Sequence, residues 1–172
     1  MIDILLKRRS VRKYTDEKIS KEKLQAIVNA GLLSPSSRNR KPCEFIVVED
    51  KEILKKLAKF KEHGAEMLEN AAAAVVVIAD SEISDVWVED SSIAMSNMHN
   101  TASFLGIGSC WLQGRGRKAE NGQGSCEYVR ELFGIPEKYS LEAVLSLGLP
   151  AEYPAPHSLE DLDQSKVHWE KF

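Results

Sequence analysis

Nine consecutive residues, Ala71 to Ala79 (AAAAVVVIA), carry no polar side chain. The run is about half as long as a membrane-spanning helix requires. Its β-branched part, Val75-Val76-Val77-Ile78, reads instead as a buried strand. A strand of this kind needs a core around it, and 172 residues can supply one. A domain of that length buries roughly 70% of its unfolded surface. The chain is read as one soluble domain, with no internal repeat and no low-complexity linker.

The surrounding segments give a mixed pattern of helices and strands. Ile2 to Lys7 can begin a helix. Ser20 is a plausible N-cap, followed by Leu24, Ile27, Val28 and Leu32 at helical spacing, with Gly31 and Pro35 as the stop. Phe45 to Val48 reads as a strand, and Asp50 then caps a helix carrying Ile53, Leu54 and Leu57. A long helix is expected after Asp85, with Ala94, Met98, Ala102 and Leu105 on one side and Gly106 as its stop. Ser109 to Leu112 is a third strand, Glu120 to Ser125 a loop, and Tyr128 to Phe133 a helix closed by Gly134 and Pro136. Ala143 to Leu147 is a fourth strand.

Charge and cysteine content narrow the function classes. The net charge is −3, which argues against sequence-blind nucleic-acid binding, since that needs a basic domain. Three cysteines, Cys43, Cys110 and Cys126, suggest neither a disulfide framework nor a zinc ribbon, and fit a reducing compartment. No signal-peptide pattern stands at the N-terminus, so a cytoplasmic location is expected. The four histidines show no metal-ligand spacing, and His99 reads as a helix-surface or core-edge residue.

Three stretches carry candidate chemistry. Arg8-Arg9-Ser10-Val11-Arg12 groups three guanidinium forks and a hydroxyl. That set either forms a solvated face or binds an anion such as a phosphate. Ser34 to Pro42 (SPSSRNRKP) is a donor-rich loop that can hold a polar planar ligand or serve as a plain connector. Gly106 to Arg117 (GIGSCWLQGRGR) brackets an apolar strand with glycines that would let a backbone approach a flat ligand. The dinucleotide fingerprint and the P-loop are both absent. From Pro150 the chain is polar and proline-spaced, yet it ends in Trp169 and Phe172, which are costly to leave in water. Such a tail docks on its own body or on a partner chain.

Taken in order, RRSVRKY, SPSSRNRKPCEFIVVED, NTASFLGIGSCWLQGR, ELFGIPEKYSLEAVLSLGLPAEYP and KVHWEKF resemble the nitroreductase family of FMN-dependent oxidoreductases over nearly the whole chain. The resemblance implies an α+β fold with a mostly antiparallel central sheet flanked by helices. It further implies one FMN-binding domain over residues 1–172, and a homodimer whose 150–172 tails cross to the partner subunit. It implies NAD(P)H as donor, a ping-pong reaction at flavin N5 and a small electrophilic acceptor such as a nitroaromatic or quinone. No protein acid or base is then required. Nucleic acid and membrane are not expected partners.

By the same resemblance, Arg8, Arg9, Ser10 and Arg12 match positions that bind the FMN phosphate, ribityl chain and pyrimidine edge. Pro35, Ser36, Ser37 and Asn39 match a loop that reaches the flavin from the other subunit. Leu112, Gln113 and Gly114 match the strand end whose backbone lies beside the ring. The sequence departs from the family at Lys41, Cys43 and Leu149, where glutamine, an aromatic and tyrosine are common. The late cation that often bonds the phosphate has no match in Ala155 to Ser158, so Arg115 or Arg117 is expected to replace it. Alternatives are a non-catalytic flavin-storage module, or a flavoenzyme of another type such as a dehydrogenase, reductive dehalogenase or ferredoxin-coupled reductase. A cofactor-free helical dimer is a third.

Overall fold

The apolar run lies at the centre of a four-stranded sheet in the computed structural model, which describes residues 2–172. The strands are β1 (Cys43–Val48), β2 (Ala73–Asp80), β3 (Gly108–Gln113) and β4 (Tyr139–Gly148). Their order is β1-β2-β4-β3, and all three pairings are antiparallel. Every residue of β2 is buried because helices cover both faces of the sheet. Ala74, Val76 and Ile78 pack with Leu54 and Leu57 of α3 (Lys51–Leu57) and Val129 of α5 (Ser125–Phe133). Ala73, Val75 and Val77 pack with Ile27 of α2 (Lys21–Leu32) and Met95 and Met98 of α4 (Trp87–Phe104). The period-2 alternation of a strand thus serves two cores at once. The short α1 (Ile2–Lys7) precedes them.

Local signals set several element ends. Ser20 caps α2 by accepting from the Lys23 amide, and Asp50 caps α3 by accepting from Glu52 and Ile53. Gly134 ends α5 in the left-handed conformation, φ +65°. Other ends move. Each strand runs beyond its sequence-based bounds, because ladder partners hold residues whose own propensity is weak. Ser125 opens α5 instead of closing a loop. Gly31 does not stop α2 but lies inside it. A Cβ there would sit 2.9 Å from the Phe45 ring and 3.0 Å from Met98 Sδ, so glycine lets α2 approach β1 and α4.

The β2–β4 ladder has one irregularity: Val77 faces Ala143 while Ile78 faces Leu141. Glu142 is skipped. This β-bulge lies where β4 passes the end of β3.

Candidate functional site

Ser10 forms a parallel bridge with Ser109, and the Val11 amide donates to the Ser109 carbonyl at 2.9 Å. The basic run therefore lies along the outer edge of β3, at its start. Glycines make the approach possible. A Cβ on Gly108 would meet Val11 Cγ1 at 2.8 Å, and one on Gly148 would meet the Tyr14 ring at 2.5 Å. Tyr14 then locks the segment: its hydroxyl donates to the Val11 carbonyl at 2.8 Å and lies 2.7 Å from Ser146 Oγ. Burial pushes the Tyr14 phenol upward, so it stays a hydroxyl.

Arg8 turns inward. Its Nη1 donates to His99 Nε2 at 2.9 Å, and His99 Nδ1 lies 2.6 Å from Ser109 Oγ. A guanidinium has no acceptor, so Nε2 must carry the lone pair and Nδ1 the proton. Burial, with Arg8 adding to it, lowers the His99 pKa to about 4, which keeps the ring neutral at pH 7. Arg12 is exposed, its fork touching only the Ser10 carbonyl at 3.5 Å. Arg9 points the other way. It donates to the Ala155 carbonyl and lines a cavity of about 300 Å³ with Val11, Gly108, Tyr153 and Pro156.

Cys110, next along β3, reports the local charge. Burial raises its thiol pKa, while Arg12, the Ser10 hydroxyl, Lys61 and Arg8 act to lower it. Every charged neighbour that acts on this thiol is a cation. Lys61, which follows the Ala58–Phe60 turn, is the third cation that acts on this thiol, and it acts on the Glu66 carboxylate as well. The sequence offers no motif for Lys61, since only the packing of that turn against β3's face brings it close.

The serine-rich loop is held from α4. The Ser37 amide donates to Asp90 Oδ1 at 2.8 Å, Ser84 Oγ donates to Oδ2 at 3.0 Å, and the Lys41 amide donates to Ser36 Oγ at 2.8 Å. Arg38, Asn39 and Lys41 all have positive φ, between 49° and 55°. Left-handed non-glycine residues are strained and persist only where the surroundings hold them, a pattern concentrated at functional sites. Cys43 begins β1 with Sγ 3.5 Å from Ser91 Oγ. Pro35 is exposed beside this loop.

Leu112 is buried in the core, and Gln113 and Gly114 form the far end of β3. Gln113 Oε1 accepts from Trp111 Nε1 at 2.8 Å, and its Nε2 donates to Glu142 Oε1 at 3.2 Å. Arg115 pairs with Glu142 at 3.3 Å, and Arg117 is exposed. The glycines of this stretch do not simply leave room for a ligand. The missing Cβ of Gly114 is filled by Leu141 at 2.5 Å, and Gly106 supplies the left-handed turn after α4.

One protomer does not bring all these residues together. Ser109 and Gln113 are four residues apart on β3, roughly 13 Å. Arg115 therefore lies at the opposite end of β3 from Ser10, engaged with Glu142. Asp90, which holds the serine loop, and His99, which holds Arg8, are nine residues apart on α4, again about 13 Å. Among the described residues, no cluster of three or more His, Cys, Asp or Glu could hold a metal ion, and no helix is long and apolar enough to cross a membrane.

The basic segment along the β3 edge and the strained donor loop that leads into β1 at the opposite edge belong to an α+β protein built on one antiparallel sheet. The "Nitroreductase family" model matches residues 5–63 and 60–149, and the chain belongs to the nitroreductase family. It is similar to the FMN-dependent nitroreductase of Clostridium difficile R20291, with 46% identity, full coverage of both chains and a TM-score of 0.97. A relative from Archaeoglobus fulgidus, provisionally named NADH dehydrogenase/NAD(P)H nitroreductase, is 39% identical over 99% of this chain and 98% of its own length. The NADPH:FMN oxidoreductase of Vibrio harveyi, solved with NAD+, shares 26% identity and a TM-score of 0.81, covering 99% of this chain and 77% of that one.

Proposed function

We propose that the protein is an FMN-dependent oxidoreductase that takes electrons from NAD(P)H and reduces a small electrophilic acceptor, such as a nitroaromatic or quinone. The observation that carries this reading is the bridge of Ser10 to Ser109, which sets Arg8, held by His99, and Arg12 in one basic cluster on the edge of β3, neither guanidinium paired with a carboxylate among the described residues. Such a cluster fits an anionic ligand, and FMN presents a phosphate and an electron-poor pyrimidine edge. Family membership and the full-length likeness to an FMN-dependent nitroreductase support the same cofactor.

Bound FMN supplies the two-electron carrier between donor and acceptor. The chain's own residues bind and orient it. Arg8, pinned by His99, and the Ser10 hydroxyl would hold the phosphate and ribityl chain. Arg12 would place positive charge at the pyrimidine edge, where it favours added negative charge. Gln113 and Gly114 would lie along the ring. Arg9, drawn to the tail, is a poorer candidate than its neighbours. Arg115 and Arg117 would sit toward the ring end, so the charge at the phosphate end falls to Arg8.

We assign the active form to a homodimer in which Pro35, Ser36, Ser37 and Asn39 come from the second subunit. The separation along α4 supports this, because an antiparallel copy would set its Asp90 end beside the His99 end of the first. Leu33 and Phe104 are exposed at a groove of about 400 Å³ that also includes Ile4 and Thr101, an apolar face suited to a partner. Three free thiols fit a reducing, cytoplasmic setting.

The test is anaerobic reduction. Purified protein is reconstituted with FMN, and NADH or NADPH should bleach the yellow band, with reoxidation by nitroaromatics or quinones. Protein that stays colourless after FMN addition refutes the reading. Yellow protein that neither nucleotide bleaches points to flavin storage or to a protein electron donor.

A further inference from the structure

We propose that Glu142 is a positioning residue for the Gln113-Gly114-Arg115 turn, and that its carboxylate and the Arg115 guanidinium form an opposed charge pair that sets the redox balance of the bound cofactor. The inference rests on the flavin reading above.

Glu142 is the residue that the β2–β4 register skips. A bulge frees a backbone carbonyl from the ladder and re-aims a side chain. Both effects act on the same turn. The Glu142 carbonyl accepts from the Gly114 amide at 3.0 Å, from the Arg115 amide at 2.9 Å and from Gln113 Nε2 at 3.2 Å. Its carboxylate accepts from Gln113 Nε2 at 3.2 Å through Oε1 and faces Arg115 Nε at 3.3 Å through Oε2. One residue therefore anchors each member of the turn.

Stability alone does not account for a carboxylate here. The Glu142 side chain is only 3% exposed, and Oε2 has no hydrogen bond of good geometry, only the ion pair with a half-exposed arginine. Its neighbours in β4, Leu141 and Ala143, are buried apolar residues. Burying a charge among them costs more than burying another aliphatic side chain. Local rules broken in this way mark functional positions. A buried carboxylate beside the ring end opposes negative charge on reduced flavin, and the guanidinium favours it. The pair tunes the cofactor from a fixed distance, because the bulge and the turn hold both ends.

The experiment measures the midpoint potential of FMN bound to the full-length wild type, Glu142→Gln and Arg115→Gln by dye equilibration, with FMN affinity measured in parallel. Glu142→Gln keeps the shape and an acceptor for Gln113 but removes the charge. It should favour reduced flavin about tenfold, or about 30 mV for a two-electron couple. Arg115→Gln should shift the balance a comparable factor the other way. A residue that served folding alone would not give shifts of opposite sign. Loaded variants whose potentials agree with wild type within twofold, or move in the same direction, overturn the proposal while leaving the flavin reading intact. Wild-type protein that takes up no FMN overturns both. If Glu142→Gln does not fold, the half-exposed Arg115→Gln decides: a lowered potential supports the pair and an unmoved one refutes it.

Discussion

His99 can accept from Arg8 only while its imidazole is neutral. Burial lowers its pKa from 6.5 to about 4, so the folded protein resists protonation that the unfolded chain accepts. Stability should fall as pH drops from about 6.5 to about 4 and level off below that, since the unfolded state binds the extra proton. The full effect is on the order of 3 kcal/mol. Urea unfolding of wild type and His99→Gln at pH 7.5, 5.5 and 4.5 checks it: the wild type should lose more stability on acidification than the variant. The same residue bears on cofactor binding. His99→Leu removes the acceptor that orients Arg8 and should weaken FMN affinity about tenfold, whereas His99→Gln should stay within about threefold. Equal affinity for FMN in all three proteins would show that Arg8 needs no support. The sequence carries a sign of this burial, because His99 follows Met95 and precedes Ala102 on the inward stripe of α4. It carries no sign that the partner is Arg8.

Elements meet in this fold through missing side chains. The basic segment lies against the sheet edge because Gly108 and Gly148 leave space for Val11 and Tyr14. Gly148→Ala would press a methyl group into the Tyr14 ring. We expect a loss of about 1–3 kcal/mol and release of the Tyr14–Ser146 contact, seen as a lowered thermal midpoint. Gly124→Ala, with nothing within 4 Å of the new methyl and an ordinary φ of −62°, should lose only the preference of the α5 N-cap for glycine over alanine, about 0.5–1 kcal/mol, with no packing effect. Similar cooperation holds the serine loop, where Asp90 of α4 takes both Ser37 and Ser84. Asp90→Ala would leave those donors unpaired, costing about 1–3 kcal/mol, and would free the strained Arg38-Asn39 backbone to relax. Limited proteolysis should then cut within residues 36–41, where the wild type resists. In sequence Asp90 reads as an ordinary charge in a helix's first turn, and only the packing of α2 against α4 shows what it supports.

On the scale of the whole molecule, the tail is the unfinished part. Residues 157–172 are exposed throughout, and Trp169 and Phe172 are among the most exposed apolar side chains in the protomer. Burying each would contribute roughly 1.5–3 kcal/mol, which a second subunit can supply. Ending the chain at Pro150 should therefore weaken the proposed dimer and its proposed hold on FMN, as followed by analytical ultracentrifugation with flavin absorbance. A truncated protein that stays dimeric and yellow would remove the tail from both roles.

Sequence by itself determined the features that depend on neighbours along the chain. These are the central apolar strand, the caps at Ser20 and Asp50, the left-handed stop at Gly134, and the presence of a cationic segment, a donor loop and a glycine-bounded strand. Each follows from periodicity or from a side chain bonding its own backbone, which are short-range effects. Tertiary structure decided which of those cations gather. Arg8 meets His99 across 91 residues, Arg12 and Lys61 both act on the Cys110 thiol, Arg9 turns away toward the tail, and Arg115 is held at the other end of β3 by a glutamate that one bulge places there. Such pairings depend on strand register and helix packing, where a shift of a single residue sends a side chain to the opposite face.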